Sequence, residues 1–241
     1  FMERVEQLRK AGAKYISLKT GAYRPADLAR AVKFCSRAKV DYLTVDAAGG
    51  GTGMSPWRMM NEWGVPGVEI WSLLHSYCQR LDKKGEYVPD VILAGGFALE
   101  DQIFKGMALA SPYVKAIGMA RSPLAAVMVG KTLGNNIESG QLPIHLERLG
   151  RTREDIFVTA DMLKREYGED YNRIPTAAIG LYTYYERLAH GLRQLMNGAR
   201  KFALKYITRD DIAALTPEAA RMSGIPLVSD LDRDEVERIL G

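Results

Sequence analysis

The chain has 241 residues, 47% of them hydrophobic and 26% charged, which suits a folded globular protein and excludes a disordered tail, a collagen-like chain and a coiled-coil rod. Its net charge of +4, from 33 basic and 29 acidic residues, is mild and forms no basic stripe with interleaved aromatics, so the usual nucleic-acid footprint is excluded. No run of about 18 apolar residues marks a membrane span. The start, Phe1-Met2-Glu3-Arg4, has no signal-peptide core, and a first residue other than Met points to a true N-terminus upstream. Two cysteines, Cys35 and Cys78, are too few for a disulfide framework, a four-cysteine metal site or an iron–sulfur site. A reducing, cytoplasmic setting is the default expectation.

Short apolar runs alternate with helical patterns through the first part of the chain, as in βα units on a parallel sheet. Tyr15 to Lys19 reads as a strand between Gly12 and Gly21. Pro25 then suits a first helical position, and Leu28, Ala31, Val32 and Cys35 recur at i, i+3, i+4 and i+7, the spacing of an amphipathic helix. Asp41 to Val45 is a second strand, followed by a glycine-dense loop. Residues 56 to 81 hold two helical pieces broken at Gly64-Val65-Pro66-Gly67. Val91 to Ala94 is a third strand, followed by Gly95-Gly96 and a helix over Leu99 to Leu109. Val114 to Ile117 is a fourth, ending at Gly118 before a helix from about Pro123. Four parallel βα units make either half of an eight-stranded barrel or a small doubly wound sheet. From about Gly140 the chain changes character. Helix-start signals at Thr208 with Asp211 and at Thr216-Pro217-Glu218, and a Tyr/Leu/Met-rich stretch from Ile179 to Met196, predict a helical extension without strands. The expected division is residues 1–139 for the βα region and 140–241 for the extension.

Parallel α/β folds bind ligands at the C-terminal ends of their strands. There the first strand offers Lys19, the second the loop Ala48-Gly49-Gly50-Gly51-Thr52-Gly53-Met54-Ser55-Pro56, the third Gly95-Gly96, and the fourth Gly118-Met119-Ala120-Arg121. Glycines admit a ligand close to the backbone, and a helix N-terminus offers unpaired N–H groups to an anion. Arg121 adds a charged, forked donor. The plain alternatives are that the glycines only make tight turns and that Lys19 is a surface lysine at a strand exit. His75, His145 and His190 fall on predicted helices at no ligand spacing and read as structural. So do Cys35, Cys78 and the Tyr182, Tyr184, Tyr185 cluster.

Taken in order, these loops resemble the second half of the FMN-binding barrel of glutamate synthase. The stretches YISLKTGAYRPADLARAVKF, AGGGTGMSPWRMMNEWG and VKAIGMARSPLAAVMVGK look like those of the glutamate synthase-like FMN-binding family. The likeness runs from about Ala11 to Lys131, and more loosely through the helical tail. It implies a TIM-type (β/α) barrel of which this chain carries the last four βα units, and an FMN-dependent oxidoreductase acting at the barrel mouth on a small molecule such as an amino or imino acid. Lys19 would lie near the N1/O2 edge of the flavin and stabilise its anionic reduced form. Gly50, Gly51 and Thr52 would pass over the cofactor, and Gly95, Gly96, Gly118, Met119, Ala120 and Arg121 would hold its phosphate.

Three departures limit what carries over. Ala47-Ala48-Gly49 stands where glutamate synthase has Gly-His-Asp. The three-cysteine iron–sulfur motif is absent, since residues 121–131 contain no Cys. The glutamine amidotransferase domain is also absent from this chain. Glutamate formation, the electron donor and the ammonia supply therefore do not transfer; flavin redox chemistry does. The first barrel half is expected from elsewhere in the gene product, from a separate chain or from a second copy in an oligomer, and this chain alone is expected to bind FMN poorly. Two other readings stay open: a phosphate-ligand barrel enzyme without flavin, and a non-catalytic barrel half that serves assembly.

Overall fold

The computed structural model describes residues 1–21, 24–50, 57–58 and 62–241. It contains a four-stranded parallel sheet in the order β1 (Ser17–Gly21), β2 (Tyr42–Asp46), β3 (Asp90–Ala94), β4 (Val114–Gly118). Among the described residues the sheet does not close into a barrel; β1 and β4 are its two edges. Helix α1 (Met2–Lys10) precedes β1, α2 (Pro25–Ala38) joins β1 to β2, α3 (Gly67–Asp82) precedes β3, and α4 (Glu100–Leu109) joins β3 to β4.

The strands form where β-branched and leucine residues alternate. Leu43, Val45, Val91 and Leu93 point to one face and are fully buried, each contributing about 1.5–3 kcal/mol by leaving water. Helix α2 packs against β1 and β2, with Pro25 at its first turn and Leu28, Ala31, Val32 and Cys35 all buried, as the sequence spacing predicts. The opposite face carries Lys19, Thr44, Ile92 and Ala116 in one row, and these residues are partly or fully exposed. A sheet with one sealed face and one open face fixes where a ligand has access.

The chain packs as two compact units, one of residues 1–97, 101–118 and 195–241, the other of residues 98–100 and 119–194. This partition differs from a cut at 139/140, because the last stretch of the tail returns to the first unit. There Arg209 is anchored through its guanidinium on the carbonyls of Leu109 and, at 2.5 Å, Ser223, and Ala214 bridges in parallel to Leu227, an extended pairing the sequence did not predict. The second unit contains α5 (Arg121–Ser139), α6 (Ile144–Glu147), α7 (Arg153–Ile156), α8 (Ala160–Tyr167) and most of α9 (Thr176–Gly198). Its core is Phe157, Ala160, Leu163, Tyr171 and Ile179. Tyr184 donates to the carbonyl of Ala98 at 2.7 Å, so in this member of the tyrosine cluster the hydroxyl has a packing role. Two short helices complete the first unit, α10 (Pro217–Ser223) and α11 (Arg233–Leu240).

Burial also decides the minor candidates. Cys35 and Cys78 are fully buried, and burial pushes both thiols up to about 12, which leaves no thiolate at neutral pH. His75, on α3, is buried beside Arg209 and packs 5.7 Å from the Tyr113 ring. Burial first, then the Arg209 charge, push its pKa down to about 4, against an opposing hydrogen bond that the imidazole donates to the Ser111 backbone. In the unfolded chain this imidazole takes a proton near pH 6.5. Between about 6.5 and 4 the unfolded state therefore holds more protons, and folding stability falls with acidification across that window. The urea midpoint should drop between pH 7 and pH 5, and His75→Gln should shrink that drop; an unchanged pH dependence in the variant would remove His75 from the explanation.

Candidate functional site

Lys19 is the central residue of β1, in register with Thr44, Ile92 and Ala116. The expectation that it ends its strand is thus corrected: β1 runs two residues further, and Gly21 stands in the last row with Asp46, Ala94 and Gly118. The two rows lie about 6.6 Å apart, two strand residues, which a lysine side chain spans. Its Nζ reaches Asp46 Oδ2 at 2.7 Å, which lifts the ammonium to the level of the strand tips.

Asp46 is the functional candidate that sequence reasoning missed. Its side chain is 4% exposed, against 44% for Lys19, so a buried carboxylate holds a cation that still touches solvent. The signal was present: an acidic residue ends an otherwise apolar strand, on the same face parity as the expected ligand side, directly before the glycine loop. No other ion pair among the described residues joins two strand residues.

The loops after β2 and β3 interlock through their backbones. The Ala47 amide donates to the Ala94 carbonyl at 2.8 Å, and the Gly50 amide to the Ala47 carbonyl at 2.8 Å. A Cβ on Gly50 would overlap the Asp46 carboxylate and come within 2.7 Å of the Gly95 Cα. A Cβ on Gly95 would stand 2.6 Å from both the nitrogen and the oxygen of Ala47, and Gly95 has φ +102°. Gly50 and Gly95 are therefore required by the close approach of these two loops, the plain reading of a glycine turn. Gly96 differs: its φ is +88°, but a Cβ there would meet nothing within 4 Å. Among the described residues the amides of Gly95 and Gly96 donate to no backbone carbonyl.

Gly118 closes β4 in the first unit. In the second unit α5 starts at Arg121 with Ala120 as its N-cap, and no side chain caps it. Gly51 and Thr52 lie outside the described residues. His145 and His190 are exposed, and no group of three or more His, Cys, Asp or Glu side chains suited to a metal ion occurs among the described residues. No helix is long and apolar enough to cross a membrane among them.

With this geometry in place, a comparison with protein-family models matches residues 1–130 to the conserved region in glutamate synthase, more than half of the chain and the whole of the parallel sheet. No curated protein matches the chain.

Proposed function

The chain belongs to the glutamate synthase family, and on that premise we propose that it is part of an FMN-dependent oxidoreductase whose active face is the open side of the parallel sheet. The observation that carries the reading is the Lys19–Asp46 pair, held at 2.7 Å beside the interlocked Gly50 and Gly95 turns. The residues fit the cofactor. The Gly95 and Gly96 amides suit a phosphate, Gly118, Met119, Ala120 and Arg121 continue the set in chain order, and the Lys19 ammonium suits the electron-rich N1/O2 edge of the ring. Gly50, with Gly51 and Thr52, is assigned to the cover over the ring.

Bound FMN would supply a two-electron carrier; the chain's own groups bind, orient and tune. Asp46 fixes the ammonium at the strand tips and compensates its charge. A fixed cation there favours negative charge that develops on a ligand, because its orientation is set before the reaction begins. The substrate is proposed to be a small molecule of the amino or imino acid class, approaching the open face. That face and the free edges of β1 and β4 support a further proposal: additional barrel strands, from another part of the protein or another copy, complete the site.

Titration of the full chain with FMN and with riboflavin, followed by flavin fluorescence, tests the reading. FMN should bind more tightly than riboflavin. Arg121→Ala should weaken FMN about tenfold, the loss of one charged hydrogen bond, and leave riboflavin unchanged. Equal affinity for the two flavins, or an Arg121→Ala effect on both, would remove the phosphate cradle from the proposal. A phosphate-ligand enzyme without flavin predicts Arg121-dependent binding of a sugar phosphate and no binding of FMN.

A further inference from the structure

Helix α11 (Arg233–Leu240) has no buried residue. At 8 residues it is shorter than the roughly 12–15 at which an isolated helix is even marginal in water, so its stability has to come from packing an apolar face. It has such a face. Val236, Ile239 and Leu240 stand at i, i+3 and i+4, on one side of the helix, and are 43%, 73% and 81% exposed. Glu235 and Glu237 flank that stripe, and residues 230–238 hold five acidic and two basic side chains.

A surface of complementary chemistry lies on α1 and α2. On α2, Arg30, Phe34 and Arg37 fall at i, i+4 and i+7 and are all exposed, which puts an aromatic residue between two arginines along one face. Phe1 stacks on Phe34 with ring centroids 5.8 Å apart, and the two residues are 49% and 42% exposed. Arg9 reaches from α1 to the carbonyls of Ala38 and Lys39, at 2.9 and 2.6 Å, which holds α1 against the end of α2. Residues 1–39 hold ten basic and three acidic side chains, in a chain whose net charge is only +4. Arg30 and Lys33 keep Asp27 and Glu86 as partners, so the face carries an excess of positive charge and not a bare basic stripe.

We propose that α11 of a second copy of this chain packs on this face, with Val236, Ile239 and Leu240 against the Phe1–Phe34 pair and the acidic flanks toward Arg30 and Arg37. Charge complementarity selects the occupant: a basic face and an acidic helix, each with exposed apolar side chains at its centre, belong to one sequence. Within a single copy α11 stays exposed along its whole length, so its own α1–α2 face does not cover it. One short helix buries little area, at the weak end of specific interfaces. A two-fold arrangement, in which each copy offers its α11 to the other, makes the contact twice and closes the assembly at a dimer. The contact uses neither the open sheet face nor the free strand edges, so it is separate from barrel completion and needs no flavin.

Sedimentation equilibrium of the full chain, without flavin, tests this. At about 50 mM salt the weight-average mass should rise with concentration from the 26.8 kDa of one chain toward twice that value, and about 500 mM salt should weaken association about tenfold by screening the charges. The variant Arg30→Glu/Arg37→Glu should stay monomeric, and so should Glu235→Arg/Glu237→Arg. Mixed in equal amounts, the two should regain the dimer, because the reversed face then meets the reversed helix and the native face the native helix. A monomer at every concentration, a dimer indifferent to both charge reversals, or a mixture that stays monomeric would overturn the proposal. If a charge-reversed variant lacks a cooperative thermal transition, Ile239→Asp/Leu240→Asp, on a helix that buries nothing in one copy, reads the same contact: it should be monomeric, and an undiminished dimer there would overturn the proposal as well.

Discussion

Gly95→Ala should destabilise the protein by about 3–5 kcal/mol, while Gly96→Ala, one residue on, should cost only about 1–2 kcal/mol. Both glycines have positive φ, +102° and +88°, so an L side chain brings backbone strain at each. The difference lies in what the new methyl meets. At Gly95 it would stand 2.6 Å from Ala47 N and O, and those are main-chain atoms that cannot rotate away. Relief requires pulling apart the β2 and β3 loops, which stretches the hydrogen bond from Ala47 to Ala94 and opens the Gly50 contact. At Gly96 the methyl would enter open space. Against a total stability of roughly 5–15 kcal/mol for an ordinary domain, the first change is severe and the second tolerable. Urea unfolding of the two variants checks this; equal losses would mean that strain alone, and not the loop contact, sets the requirement for glycine.

The same turn shows how far a sequence can be read. The four strands and α2 were legible because their signals are local: apolar runs set off by glycines, and a 3.6-residue spacing over Leu28 to Cys35 that is wholly buried. Lys19 was misplaced by two residues because Gly21 reads as a strand boundary, yet Thr20 and Gly21 pair with Val45 and Asp46. Asp46 was passed over for a related reason. Its importance comes from a partner on the neighbouring strand, and strand pairing is not written in either segment alone. In the tail, Thr208 and Asp211 do form the expected reciprocal cap, but only a single 3-10 turn follows before Ile212 turns extended. A cap satisfies the first N–H groups of a helix; it does not supply the apolar face that would prolong one. The return of residues 195–241 to the first unit depends on long-range bonds such as Arg209 to Leu109, which no periodicity announces. The family resemblance, by contrast, rested on residue identities in the loops and needed no pairing information; the match over residues 1–130 bears it out.

The Lys19–Asp46 pair should respond asymmetrically to substitution. Lys19→Met removes the cation and leaves the Asp46 carboxylate, 4% exposed, with no opposite charge. Breaking a fully buried pair in this way costs about 3–5 kcal/mol; because Lys19 itself is 44% exposed, solvent screens part of the interaction, and about 2 kcal/mol is expected. Asp46→Asn leaves the other partner, and that partner reaches water, so the loss should stay below about 1 kcal/mol. The double variant has no stranded charge and should recover most of the stability lost in Lys19→Met, a coupling that a double-mutant cycle measures directly. Function should run in the opposite order. With Asp46 neutralised, the ammonium acts uncompensated at the strand tips and should strengthen the hold on an anionic reduced flavin, whereas Lys19→Met should weaken it. Unfolding midpoints for the four proteins, set beside the reduction potential of FMN bound to each, separate the two effects. Additive stability losses would show that the pair is not coupled, and a potential that ignores both substitutions would remove Lys19 from the flavin edge while leaving its role in the fold intact.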